Sequence, residues 1–319
     1  MNEFDMIKKY FSKSPILRTD VSLGIGDDAA IVNVPKGFRL AITTDTLING
    51  VHFPDTTLPE DIGYKSLAVN LSDLAAMGAH PAFLTLSLTL PKAEEEWLQR
   101  FCQGFFNLAA RYNVQLIGGD LTRGPLSITV EAMGFLPEQE ALLRSQAKSS
   151  DLIYVTGTLG DASLALSVLQ KKLIINPLYQ KTLFTRLNRP EPRITTGEKL
   201  LSLAHAAIDI SDGLAADLSH ILEASKVGAI LYVDQLPLSH ELTASVSPDK
   251  AISLALTGGD DYELCFTVSA EKRVQLEKQL ASTEVSYTCI GKITKDSKLL
   301  LQYQNGNPYH GLIGGYEHF

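Results

Sequence analysis

Two interleaved patterns predict that this chain is a mixed α/β (α+β) protein of two domains. Stretches of alternating apolar and polar side chains, which suit half-buried strands, take turns with stretches of helical spacing. The length, 319 residues, suits two domains of ordinary size. A polar, turn-rich segment at 137–150 divides the elements into two sets, placing the domains at 1–137 and 150–319.

In the first set, RLAITTD at 39–45 reads as a strand running into a polar end. Residues 59–78 read as a helix, with Pro at the start, helix formers within and Gly at the close. AFLTLSLTLP at 82–91 alternates apolar and hydroxyl side chains and reads as a strand. Residues 93–112 form a second helix, with Glu94, Glu95 and Glu96 in its first turn, where the helix dipole favours acids. QLIGGD at 115–120 is a short strand ending in a Gly-Gly turn, and 126–135 is again strand-like. The second set opens with a strand at 152–156, a turn at 157–160 and a helix from about Ala162. A helix at 197–206 follows, then DISDGL opening another helix, strand YELCFTV at 262–268 and a helix at 270–280.

The balance of 28 Lys+Arg against 36 Asp+Glu leaves a net charge of −8, a poor basis for gripping nucleic acid. The three cysteines, Cys102, Cys265 and Cys289, are odd in number and widely spaced, which speaks against a disulfide scaffold or a zinc knuckle. MNEFDMIKKYF has no apolar core or cleavage site of a signal peptide, and no apolar run reaches the roughly 18 residues of a membrane span. The expectation is a cytoplasmic protein without membrane contact.

Acids recur in turns and at strand ends: GIGDDAA (24–30), TTDTLINGVHF (43–53), NLSDLAAMG (70–78), GGDLTRG (118–124), DISDGL (209–214) and TGGDDYEL (257–264). One Asp beside Gly is usually a turn former. Repetition beside apolar elements points instead to hard divalent cations, because Mg2+ takes oxygen ligands. Asp28, Asp45, Asp73, Asp120, Asp209 and Asp212 are candidate ligands, and hydroxyls or carbonyls of Thr43 and Thr44 could complete a sphere. Ser66, Asn70 and Asp73 fall at i, i+4 and i+7 and make a polar line on one helix face, functional or merely solvated. Clustered carboxylates need neutralising cations, which suits nucleotide phosphate chemistry. Gly118-Gly119 allows close backbone approach to phosphates, and Arg123 and Arg144 are either phosphate partners or surface arginines. His52 shares a loop with Asp45 and is either a substrate contact or a packed loop histidine. No Walker A loop, kinase catalytic loop, HExxH or GxSxG is present. GIGDDA fits a dinucleotide fingerprint, but strand-like AIVNVP follows it where a helix is required.

Taken in order, GIGDDAA, TTDTLINGVHF, KSLAVNLSDLAAMGA, GGDLTRG, TGTLGD, DISDGL, GGDDYEL and the terminal GYEHF resemble the thiamine-monophosphate kinase family, from about Gly24 to Phe319. GDDAA and the DISDGL-like turn are shared with the wider superfamily of aminoimidazole-ribonucleotide synthetase-like ATP enzymes. The resemblance implies a two-domain fold of that type, whose N-terminal ATP/Mg-binding domains pair their sheets into a barrel across a homodimer. It implies ATP-dependent phosphorylation of thiamine monophosphate to thiamine diphosphate by direct in-line transfer, with several Mg2+ ions. Carried over by motif, the metal ligands are Asp28, Thr43, Thr44, Asp45, Asp73, Asp120, Asp209 and Asp212. ATP would meet Tyr112, Gly119, Asp120, Arg144 and Ser211; thiamine monophosphate would meet His52, Asp260 and Tyr316. Two positions depart from the family pattern. It usually reads GGEDYEL where this chain has Asp260, and its tail aromatic is often Trp where this chain has Tyr316. Ring stacking survives the second exchange. Rival readings are a sister enzyme of the superfamily with another acceptor, or a non-catalytic nucleotide-binding regulator. A selenophosphate-forming enzyme is disfavoured because no Cys precedes GIGDDAA.

Overall fold

The computed structural model describes residues 3–12, 16–283, 285–311 and 314–316. They separate into two compact units. The first takes the described residues of Met1–Leu74 and Ala79–Gln139; the second takes Ala75–Gly78 and those of Glu140–Phe319.

The first unit begins with a helical turn α1 (Glu3–Met6) and a two-stranded ribbon, β1 (Val21–Leu23) and β2 (Ile31–Val32). Its main sheet holds β3 (Phe38–Ile48), β4 (His80–Leu90), β5 (Gln115–Arg123) and β6 (Ser127–Pro137) in the order β3-β6-β4-β5. Only β4 and β5 run parallel in this sheet, and the helix between them is the crossover that such a pair needs. Helix α2 (Pro59–Met77) ends as its sequence requires. Gly78 takes φ +75°, its N–H reaches the Ala75 carbonyl at 3.0 Å, and the Ala79 N–H reaches Leu74 at 2.8 Å. That double closure is the Schellman pattern, which favours glycine in the left-handed position. Helix α3 (Glu95–Arg111) buries Leu98, Phe101, Cys102, Phe105, Leu108 and Ala109, a stripe of helical period.

The second unit is built on a six-stranded sheet. It contains β7 (Leu152–Thr156), β8 (Ala204–Asp209), β9 (Gly228–Tyr232), β10 (Leu264–Val268), β11 (Tyr287–Thr294) and β12 (Leu299–Gln302) in the order β12-β9-β11-β7-β10-β8. Its helices are α4 (Asp161–Leu169), α5 (Pro177–Asn188), α6 (Ile194–Leu200), α7 (Leu214–Ser225), α8 (His240–Ser245), α9 (Pro248–Thr257) and α10 (Arg273–Leu280). Ile153, Val155, Ile208 and Cys265 of the sheet pack with Leu218, Ile221 and Leu256 in one core. A second cluster joins Leu164, Leu183, Leu242 and Leu254 from four helices.

Two expectations change. The helix expected over 197–206 stops at Leu200, and 204–209 is strand β8. AHAAID carries helix-forming alanines, but pairing with β10 buries Ala206 and Ala207, where small side chains suit the sheet. The strand expected from Tyr262 starts at Leu264, because Asp260 and Tyr262 take positive φ. No helix among the described residues is long and apolar enough to cross a membrane.

Candidate active site

Two of the acids predicted in the first half, Asp45 and Asp73, meet at the seam between β3 and α2. Strand alternation splits TTD: Thr43 and Asp45 are half-buried on one face, and Thr44 is exposed on the other. The Thr43 hydroxyl donates a hydrogen bond to Asp73 Oδ2, and the Asp45 N–H donates to Asn70 Oδ1 at 3.1 Å. Asn70 Nδ2 donates in turn to the Ser66 carbonyl at 3.1 Å. The Ser66–Asn70–Asp73 line is therefore not a solvated helix face: Ser66 and Asn70 are buried, and Asp73 is the partly open end. Asp28 is exposed in the turn between β1 and β2, its N–H on Asp27 Oδ1.

Gly119 faces Leu86 across the parallel β4–β5 pair. A Cβ there would lie 1.9 Å from the Leu86 carbonyl oxygen, so only glycine permits the approach. Asp120 follows it, exposed, and Gly118, Gly119 and Asp120 line an apolar pocket with Ile25, Leu86 and Leu116. Tyr112 caps α3, with the Arg111 guanidinium 5.4 Å from its ring centre. His52 Nδ1 accepts the Ile48 N–H at 2.9 Å, so in the neutral ring Nε2 carries the proton. The buried Lys65 ammonium reaches the His52 carbonyl at 3.5 Å. Arg123 closes β5 beside Lys92 in a separate pocket.

In the second unit three sequence motifs meet at one turn. Asp209 ends β8, buried, and residues 210–213 lead into α7. The N–H groups of Ser211, Asp212 and Gly213 all donate to Asp217 Oδ2, at 3.0, 3.0 and 3.1 Å. Burial pushes the Asp217 carboxyl up to about 7, with the three amides opposing the rise and the Asp212 charge adding to it. GGDDYEL runs alongside: the Asp260 N–H donates to the Ser211 carbonyl and the Tyr262 N–H to the Ile210 carbonyl, both at 2.8 Å. The Tyr316 N–H donates to the Asp212 carbonyl at 3.1 Å. The other residues of the GYEHF match after Tyr316, at 317–319, lie outside the described residues. Arg144 is exposed on a 3-10 turn against α7 and β8, its carbonyl accepting the Ser225 hydroxyl at 2.7 Å.

The structure thus groups Thr43, Asp45 and Asp73 in one unit, and Asp209, Ser211, Asp212, Asp260 and Tyr316 in the other. Sequence reading missed Asp217 and Glu263. The signal for Asp217 was present: an acid in the first turn of a helix after an Asp-Gly, placed to hold turn amides.

The described donor set consists of carboxylates and hydroxyls, the hard ligands Mg2+ takes. Among the described residues no three His, Cys, Asp or Glu side chains gather into a metal cage.

Residues 26–136 match the family described as AIR synthase related protein, N-terminal domain, and residues 148–304 match its C-terminal domain. The thiamine-monophosphate kinase of Escherichia coli strain K12 is 49% identical over 318 residues, covering 99% of this chain and 98% of its own length. The chain belongs to the thiamine-monophosphate kinase family. The Bacillus subtilis member is 38% identical over 307 residues, 93% of each chain. The crystal structure of the Stenotrophomonas maltophilia enzyme superposes with a TM-score of 0.86 at 48% identity, covering 92% of this chain and 93% of that one. AaThiL complexed with AMPPCP and TMP superposes with a TM-score of 0.77 at 30% identity, over 99% and 96% of the two chains. A hydrogenase maturation protein, HypE in complex with ATP, reaches 0.77 at 19% identity, a likeness of fold alone.

Proposed function

We infer that this chain is an ATP-dependent kinase that phosphorylates thiamine monophosphate to thiamine diphosphate. The observation that carries this reading is the full-length match to thiamine-monophosphate kinases, together with a family structure holding an ATP analogue and TMP. The motif order in the sequence points the same way.

The residues are assigned by the same reading. Asp28, Asp45, Asp73, Asp120, Asp209 and Asp212, with Thr43 and Thr44, would hold Mg2+. Thr44 points away from Asp45, so it would take part through its carbonyl. Bound Mg2+ would neutralise the phosphate chains and the charge that develops during transfer. Tyr112, Gly119, Asp120, Arg144 and Ser211 would meet ATP; His52, Asp260 and Tyr316 would meet thiamine monophosphate. The acceptor is an anionic phosphate oxygen, so no strong general base is required and transfer is direct and in line. The protein's share is positioning: the Thr43–Asp73 and Asp45–Asn70 contacts set the first carboxylates, and Asp217 sets the turn that presents Ser211 and Asp212.

Two copies would pair through β3, which ends its sheet and exposes Ile42, Thr44, Thr46 and Ile48 on one face. That apolar and hydroxyl surface supports a barrel closed by a second copy. The testing experiment incubates the chain with ATP, MgCl2 and thiamine monophosphate and separates the products by chromatography. Thiamine diphosphate should form only when all three are present. ATP consumed without it would replace this reading with another acceptor.

A further inference from the structure

Asp260 and Tyr262 sit in left-handed backbone, with φ of 69° and 49°. This region is strained for residues other than glycine and persists only where the surroundings enforce it. The front of the loop is tied to the turn at 210–211 by the two 2.8 Å bonds already described, and the Ile210 N–H returns a third to the Glu263 carbonyl at 2.8 Å. The back is tied by side chains that point inward. Asp261 Oδ2 accepts the Gly160 N–H at 2.8 Å where α4 begins. The carboxylate of Glu263, a residue 1% exposed, takes both prongs of the Arg193 guanidinium, Nε on Oε2 at 2.6 Å and Nη2 on Oε1. The same carboxylate accepts the Thr156 hydroxyl at 2.6 Å, and Arg186 Nη1 lies 3.5 Å away. Thr156 Oγ1 in turn accepts the Leu264 N–H at 2.8 Å, so the loop's exit is held by the same cluster.

We infer that Arg193 is a positioning residue for this reaction: by gripping Glu263 from behind, it holds the 260–262 turn and the Asp260 side chain in the pose that the acceptor substrate requires. The inference rests on the reading that Asp260 meets thiamine monophosphate. A planar fork with two parallel bonds fixes direction as well as distance, which a lysine cannot reproduce.

Removing Arg193 alone would take the bidentate partner from a buried carboxylate and leave it the looser Arg186 contact, a change that can unfold the unit. The test therefore uses Arg193→Met combined with Glu263→Gln, which removes the charge pair and keeps an acceptor for Thr156, and Arg193→Lys alongside. Each is also made in an Asp260→Ala background. At saturating ATP, the paired variant should fold, by circular dichroism and melting, and its KM for thiamine monophosphate should rise about tenfold or more, as misplacement of a contact predicts. Its KM for ATP should stay within about twofold, and Arg193→Lys should fall between it and the parent. In the Asp260→Ala background the same changes should add less than about twofold, because they act through the side chain already removed. An unchanged acceptor KM in the folded paired variant, or full additivity with Asp260→Ala, overturns the inference. Should the paired variant not fold, an unchanged acceptor KM in Arg193→Lys overturns it instead. A parent chain that makes no thiamine diphosphate overturns the functional reading, and this inference falls with it.

Discussion

Thr43 and Asp73 stand 30 residues apart in the chain and share a hydrogen bond, so each constrains the rotamer of a neighbour in the proposed metal site. Asn at position 73 keeps an acceptor for Thr43 but loses the charge. Asp45→Asn, Asp73→Asn and Asp212→Asn should each lower turnover by about a hundredfold or more at limiting Mg2+ while leaving the melting temperature close to the parent's. Near-parental turnover in all three would contradict the assignment. Arg18 is a structural counterpart. Its guanidinium holds both Asp20 oxygens, at 2.9 and 2.8 Å, donates to the Asn113 carbonyl at 2.9 Å, and lies over Phe83 and Phe135. Arg18 keeps the Asp20 carboxyl below the usual carboxylate range. The pair therefore stabilises the fold above that range, and its contribution is lost as pH falls through the folded-state value. Arg18→Met should cost roughly 2 kcal/mol near neutral pH. Urea titrations should show that gap holding through the ordinary carboxylate range and narrowing only as pH falls below it, through the depressed folded-state value of Asp20. A gap independent of pH would mean that the ring contacts, not the ion pair, carry the stability.

Among the elements, α2 shows what sequence periodicity reveals and what it omits. Its polar line was legible because Ser66, Asn70 and Asp73 recur at helical spacing among small and apolar neighbours. Its burial was not, because the same line on an unpacked helix would face water. Packing against α3 adds a constraint that the pattern does not show. A Cβ on Gly104 would lie 1.8 Å from the Glu60 carbonyl oxygen, so the two helices meet backbone to backbone there. Gly104→Ala should force them apart and cost about 2–3 kcal/mol in chemical denaturation. A neutral or stabilising effect would show that helix propensity outweighs the contact. The 197–206 stretch errs in the opposite direction. Alanine favours a helix locally, but a sheet edge beside β10 offers it burial and a hydrogen-bond ladder.

For the whole molecule, the proposed pairing through β3 predicts that the active species weighs twice the chain's 34.8 kDa. Light scattering should show that mass for the parent, and Ile42→Asp with Ile48→Asp should shift it to one copy and lower activity together. A fully active single copy would remove the barrel from the reading. The sequence by itself determined the family, the order of the motifs and most of the long elements, because these reside in local periodicity and in residues close along the chain. Only the tertiary structure decided that Thr43 meets Asp73, that the Ser66–Asn70 line is buried, and that Glu263 is clasped by an arginine 70 residues away. The physical reason is distance along the chain. A hydrogen bond or buried ion pair between remote segments leaves no spacing signal in either of them, and it exists only once the sheet has brought those segments within about 3 Å.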